Sequence, residues 1–213
     1  MYNPDQHREE RPEVLQAFIA RHPFGALVAH TPDGLTANHI PMTWRARSGT
    51  PGVLHGHIAR ANHLWELVPP DAPVLVIFSG ANHYLTPSWY PDKRAHGKVV
   101  PTWNYSVVHA HGTIRFTDER DVRLARVSEL TKRQEAAREA PWHVSDAPAD
   151  YLESMLKRIT AFEIGLTGLV GKFKSSQHRS SAERDSVTAA LVDEGVPEAD
   201  IAELVRPPAP SGS

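Results

Sequence analysis

Phe24 to Trp44 reads FGALVAHTPDGLTANHIPMTW. An apolar run, Phe24 to His30, meets the turn signature Thr31-Pro32-Asp33-Gly34 and gives way to an alternating run, Leu35 to Trp44. This predicts a hairpin. Thr36, Asn38, Ile40, Met42 and Trp44 share one face, and Leu35, Ala37, His39 and Thr43 share the other. Pro41 cannot donate to a ladder, so it marks an edge or a bulge. Further strands are expected over Val53 to Arg60, Pro73 to Ser79, Val107 to Phe116 and Phe162 to Val170. Helices are expected over Pro12 to Arg21, from an N-cap at Asp118 to about Arg138, and over Ala149 to Ile159, Ser181 to Glu194 and Pro197 to Val205. Hairpin spacing with peripheral helices argues for an α+β fold built on a small antiparallel barrel. No glycine-rich phosphate loop is present, which argues against a parallel dinucleotide-binding sheet.

The chain has 213 residues, a formal charge of -2 and no cysteine. That excludes disulfides, thiolate metal sites and a cysteine nucleophile, and it suits a cytoplasmic protein. The start, MYNPDQHREE, is polar, and no apolar run approaches a membrane span. The C-terminal helices carry many carboxylates and few bases, so no nucleic-acid partner is expected. One domain is expected over residues 1–206, with C-terminal helices from about 181 and a disordered tail at 207–213.

Residues 83–111, HYLTPSWYPDKRAHGKVVPTWNYSVVHAH, concentrate rings, one amide and imidazoles. Such a stretch suits a pocket for a planar cofactor, or equally a bulky core or interface. Seven of the 13 histidines fall between positions 55 and 111. His55/His57 and His109/His111 have metal-ligand spacing, but no Asp or Glu is close in sequence to complete a triad. The junction at Arg60, Ala61 and Asn62 leaves a strand for a helical turn, where free backbone N–H groups favour an anion.

Several blocks are distinctive: His22-Pro23-Phe24, Gly34 to Pro41, Gly56-His57-Ile58-Ala59-Arg60-Ala61-Asn62, Pro87-Ser88-Trp89-Tyr90, Val99-Val100-Pro101-Thr102-Trp103-Asn104-Tyr105 and Gly171-Lys172-Phe173-Lys174 with Ser176-Gln177. With these blocks the chain resembles the PaiB-like family of FMN-binding negative transcriptional regulators. The resemblance implies the split β-barrel of flavin reductases and pyridoxamine-phosphate oxidases, in a homodimer with cofactor pockets at the interface. One branch of that family resembles piperazate synthases. These bind haem and convert N5-hydroxy-L-ornithine to L-piperazate and water by closing an N–N bond.

Three departures from the family pattern bear on the cofactor. His63 stands where proline is usual, Gly80-Ala81-Asn82-His83-Tyr84 replaces a Gly-Pro-His-Ala-Tyr run, and Ser175-Ser176-Gln177-His178 replaces Leu-Ser-Gln-Asn. The resemblance therefore implies haem b with His63 as axial ligand, an amino-acid substrate and an N–N bond-forming reaction; FMN, in a flavin-dependent oxidoreductase or a regulator, is the alternative. His57, Arg60, Asn62, Trp65, Trp89, Trp103, Asn104 and Lys174 are the implied cofactor contacts, with Arg60 and Asn62 facing an anionic group. Tyr90, Tyr105 and Lys172 are the candidates for moving a proton.

Overall fold

The computed structural model describes residues 1–91 and 97–206. The expected tail at 207–213, and His96, lie outside the described residues. The strands are β1 (Arg8–Glu9), β2 (Phe24–Thr31), β3 (Gly34–Pro41), β4 (Thr43–Arg45), β5 (Val53–Ala59), β6 (Ala72–Leu85), β7 (Thr102–Thr117) and β8 (Ile159–Lys174). The helices are α1 (Pro12–Arg21), α2 (Leu64–Leu67), α3 (Arg120–Glu135), α4 (Ala149–Leu156), α5 (Ser181–Asp193) and α6 (Glu198–Val205). The sheet order is β3-β2-β6-β7-β8-β5-β4, with β1 pairing β8, and the pairs β1/β8, β2/β3, β2/β6, β4/β5 and β5/β8 are antiparallel. The chain forms two compact units. Unit 1 holds Met1–Phe18, Ser79–Val108 and Val170–Ser213, and unit 2 holds Ile19–Phe78 and His109–Leu169.

Unit 2 contains the predicted hairpin. Phe24 pairs with Pro41 and Thr31 with Gly34, so Pro32 and Asp33 form a two-residue turn. Gly34 takes a positive φ of 106° that a side chain would resist, and Thr31 Oγ1 donates to the Gly34 carbonyl at 3.0 Å. The expected single strand to Trp44 breaks at Met42, whose N–H turns to the Pro23 carbonyl. Inward-facing Leu27, Leu54, Ile58, Val76, Phe78, Ile114, Phe162 and Ile164 are all buried. Their alternation along β2, β5, β6, β7 and β8 explains why these segments stay extended.

In unit 1, Phe18 from α1 meets Phe173 edge-on, with centroids 5.3 Å apart. Tyr90, Leu85, Val187, Leu191, Ile201 and Leu204 form a second core, which buries the apolar sides of α5 and α6. Ser180 and Glu183 cap α5 reciprocally.

Three elements run beyond expectation. β6 continues to Leu85, β7 starts at Thr102, and β8 absorbs both Ile159 and Lys174. Asp118 is not the cap of α3; Glu119 takes that position. Where β7 passes β8, a Cβ on Gly112 would lie 2.5 Å from the Gly165 carbonyl oxygen, which is backbone and cannot step aside. Gly112→Ala is therefore expected to cost about 1–3 kcal/mol by overpacking. Gly168→Ala, at a site with nothing within 4 Å, serves as the control. Equal denaturant midpoints for the two variants would refute this.

Candidate functional site

The predicted site residues fall into two groups, one in each unit. In unit 2, β5 hands the chain to α2. The Arg60 N–H donates to the Arg158 carbonyl at 2.7 Å, and Asn62 N–H to the Ala59 carbonyl at 2.8 Å, which fixes the corner. The Arg60 guanidinium lies 5.2 Å from the Trp65 ring centroid, donates to the Lys157 carbonyl at 3.2 Å and pairs with Asp118. Trp65 Nε1 donates back to the Arg60 carbonyl at 3.0 Å. Hydrogen bonding from Arg60 holds the Asp118 carboxyl below its usual range. The anion expected opposite Arg60 is thus supplied by the chain itself.

Asn62 is also engaged. Its Nδ2 donates to Asn38 Oδ1 at 2.6 Å, and its Oδ1 accepts the Leu64 N–H at 3.1 Å. His63 sits at the N-cap of α2 with its side chain 70% exposed, and its Nδ1 lies 2.9 Å from Glu66 Oε2. A carboxylate only accepts, so a proton is assigned to Nδ1. Beneath this corner lies a small cleft of about 180 Å³ between Trp65, Phe116, Asp118 and Thr160.

His57 lies on the same strand. Its Nδ1 is buried with no hydrogen-bond partner, and burial pushes its pKa down. His55 has acids near it after all. Glu163 on β8 lies 3.1 Å from its Nε2, and Glu129 on α3 lies 3.8 Å from its Nδ1. Arg126 also bonds Nδ1 at 2.7 Å, and Arg45 and Arg47 pair with the two carboxylates. The acids are already neutralised. Among the described residues, no group of three or more His, Cys, Asp or Glu is arranged to hold a metal.

Unit 1 brings together Trp103, Tyr105, Lys172 and Lys174. On β7, even-numbered residues from Asn104 to Ile114 are buried, while Trp103 and Tyr105 alternate onto the open side, with Trp103 53% exposed. They line a cleft of about 410 Å³ with Ser79, Gly80 and Val107, a size suited to a cofactor-sized ligand. Lys172 is buried. Its ammonium donates to the Tyr2 carbonyl at 3.0 Å and lies 5.4 Å from the Tyr105 ring centroid. Lys174 donates to Thr102 Oγ1 and, at 2.8 Å, to the Trp103 carbonyl. Burial, with Lys172 nearby, draws the Lys174 pKa down, and Tyr105 opposes the shift. Among the described residues neither lysine has a carboxylate partner.

Asn104 lies behind this wall. Its Nδ2 donates to the Leu204 carbonyl at 2.9 Å and to Ser176 Oγ at 3.0 Å, and no part of it is exposed. It organises the site without lining it. Tyr90 is likewise core, with the Arg179 guanidinium 4.9 Å from its ring centroid. Trp89 stacks on His83 at 5.9 Å. The change at residue 81 has a structural use: the Ala81 N–H, which proline lacks, donates to Glu203 at 3.0 Å.

Sequence reasoning missed Asp118, Glu203 and Glu194 as partners, because each lies many residues from the group it meets. Glu66, three residues after His63, was legible as an i,i+3 neighbour.

The fold is of the antiparallel α+β, split-barrel class expected from the sequence, and its candidate site is a ring-walled cleft whose Tyr105 ring and Trp103 carbonyl are contacted by Lys172 and Lys174. The chain belongs to the family described as "Putative FMN-binding domain", whose model matches residues 1–168. An uncharacterised protein of Aspergillus fumigatus is 37% identical over 88% of this chain and 89% of its own. Protease synthase and sporulation protein PAI 2 of Bacillus subtilis is 29% identical over 97% of both chains. Among solved structures, the FAD and heme binding protein from Mycobacterium smegmatis shares the fold with a TM-score of 0.58 at 15% identity, covering 86% of this chain and 80% of that one. No helix among the described residues is long and apolar enough to cross a membrane.

Two outcomes follow. Asn104→Ala leaves the Leu204 carbonyl without its partner and is expected to cost about 1–3 kcal/mol, read from denaturant midpoints. His57 has a lowered folded pKa, so its neutral form stabilises the native state. That contribution is full above the ordinary value of 6.5 and is lost as pH falls below it toward the folded pKa. His57→Gln should flatten the fall in Tm between about pH 7 and 5. An unchanged slope would remove His57 as the cause.

Proposed function

We propose that this protein is a homodimeric, FMN-binding oxidoreductase whose flavin ring rests against Trp103 and Tyr105, with its phosphate toward Lys174. The observation that carries this is the pairing of an aromatic cleft with two ammonium groups that have no carboxylate partner. An ammonium has three donors, and Lys174 spends two on Thr102 and Trp103, so one remains for an anion. Lys172 adds positive potential from behind Tyr105. Family membership and the flavin in the name of the Mycobacterium protein support the same reading. Bound flavin would supply hydride and single-electron transfer. The chain's own part is to orient the ring, neutralise the phosphate and keep water from one ring face. The dimer belongs to this proposal, supported by Phe24 and Leu35, which stand 62% and 77% exposed on the hairpin.

One observation favours a second reading. Glu66 accepts from His63 Nδ1, and in the neutral imidazole this would leave Nε2 available as a ligand for a haem iron. Haem held there would supply a Lewis-acidic iron suited to N–O bond cleavage. The substrate would then be N5-hydroxy-L-ornithine and the products L-piperazate and water, with Arg60, in the same unit as His63, holding the carboxylate.

The absorbance spectrum of the purified protein separates the readings. Flavin bands, with FMN affinity reduced about tenfold or more in Lys174→Met, support the first. A Soret band that disappears in His63→Ala, with dehydration of N5-hydroxyornithine detected by mass, supports the second and overturns the first.

A further inference from the structure

A second cleft, of about 480 Å³, opens in unit 1 beside Trp103. Its walls are aromatic. Tyr84 meets Trp103 edge-on at 6.0 Å, and both rings are exposed, at 43% and 53%. Trp89 forms another wall, stacked on His83 with an interplanar angle of 19°. One carboxylate, Glu194, lines the same space, held by His83 Nε2 at 3.1 Å.

The position of Glu194 is informative. It is the C-cap of α5, where peptide dipoles already place partial negative charge and a basic side chain would be favoured. The last turn of α5 carries no base. The Glu194 carboxylate therefore faces a space walled by aromatic rings, whose faces are themselves negative. No ammonium or guanidinium of the described residues lines the cleft. A neutral flat ligand would use the rings but gain nothing from Glu194, whose one partner facing this space is the His83 imidazole.

We infer that this cleft is a binding site for a small organic cation, an alkylammonium seated on Trp103, Tyr84 and Trp89 with its charge toward Glu194. Rings supply cation–π attraction, which is greatest for tryptophan, and the carboxylate selects charge over shape. Trp103 and Asn82 line both this cleft and the one proposed for flavin, so the two sites adjoin.

Choline and its neutral isostere 3,3-dimethylbutan-1-ol differ in charge at almost constant shape, and n-butylammonium tests a primary amine head. Isothermal titration and tryptophan fluorescence are read on the full-length protein as purified, with its cofactor content measured alongside. Saturable binding of choline or n-butylammonium, with the alcohol at least about tenfold weaker, is expected. Glu194→Gln should weaken cation binding about fivefold and Tyr84→Leu by a similar factor, with circular dichroism and cofactor content unchanged. Equal binding of the alcohol and choline, unaltered affinity in Glu194→Gln, or no saturable binding of either cation up to about 50 mM would each overturn the assignment.

Discussion

A fully buried amide must be satisfied by the protein, and in unit 1 that requirement falls on Asn104. Its carboxamide reaches the Leu204 carbonyl on α6 and the Ser176 hydroxyl in the turn after β8. Ser176 accepts a left-handed backbone, φ 58°, to stand there. Once α6 is held, Glu203 reaches the Ala81 N–H on β6, and a side chain at Gly80 would collide with that carboxylate. Strand alternation then does the rest. With Asn104 turned inward, Trp103 and Tyr105 turn outward, so the aromatic wall is a by-product of one buried polar contact.

The hairpin, the amphipathic α1 and the two C-terminal helices were readable because each is encoded by nearest neighbours: a turn tetrapeptide, a helical stripe, a capping box. Strand lengths were not. β6 runs on through Gly80, Asn82 and His83, and β7 begins just after Pro101, where local signals favour a loop. Lys172 and Lys174 lie beyond the expected end of the last strand at Val170, yet they belong to β8 and Lys172 is buried, where Tyr2 and Tyr105 present rings that tolerate an ammonium.

The candidate site was legible as a list of side chains and illegible as a set of partnerships. Asp118 satisfied every local rule for a helix cap, yet the structure gives it to Arg60 and moves the cap one residue on. His55 has no acid close in sequence, but a neighbouring strand and a helix deliver two in space. Such pairings form where the sheet brings distant segments side by side, and spacing along one segment carries no trace of them.

The Arg60–Asp118 pair changes what recognition at that corner means. An arriving anion finds no vacant cation there; it must exchange with a carboxylate already in place on an aromatic-backed guanidinium. The net gain is the difference between two ion pairs, so weakly competing anions such as chloride gain little, and discrimination rests on charge density and fork geometry. An anion bound there would act by exchange against a built-in counter-ion, and the group it displaced, Asp118, stands one residue before the cap of α3.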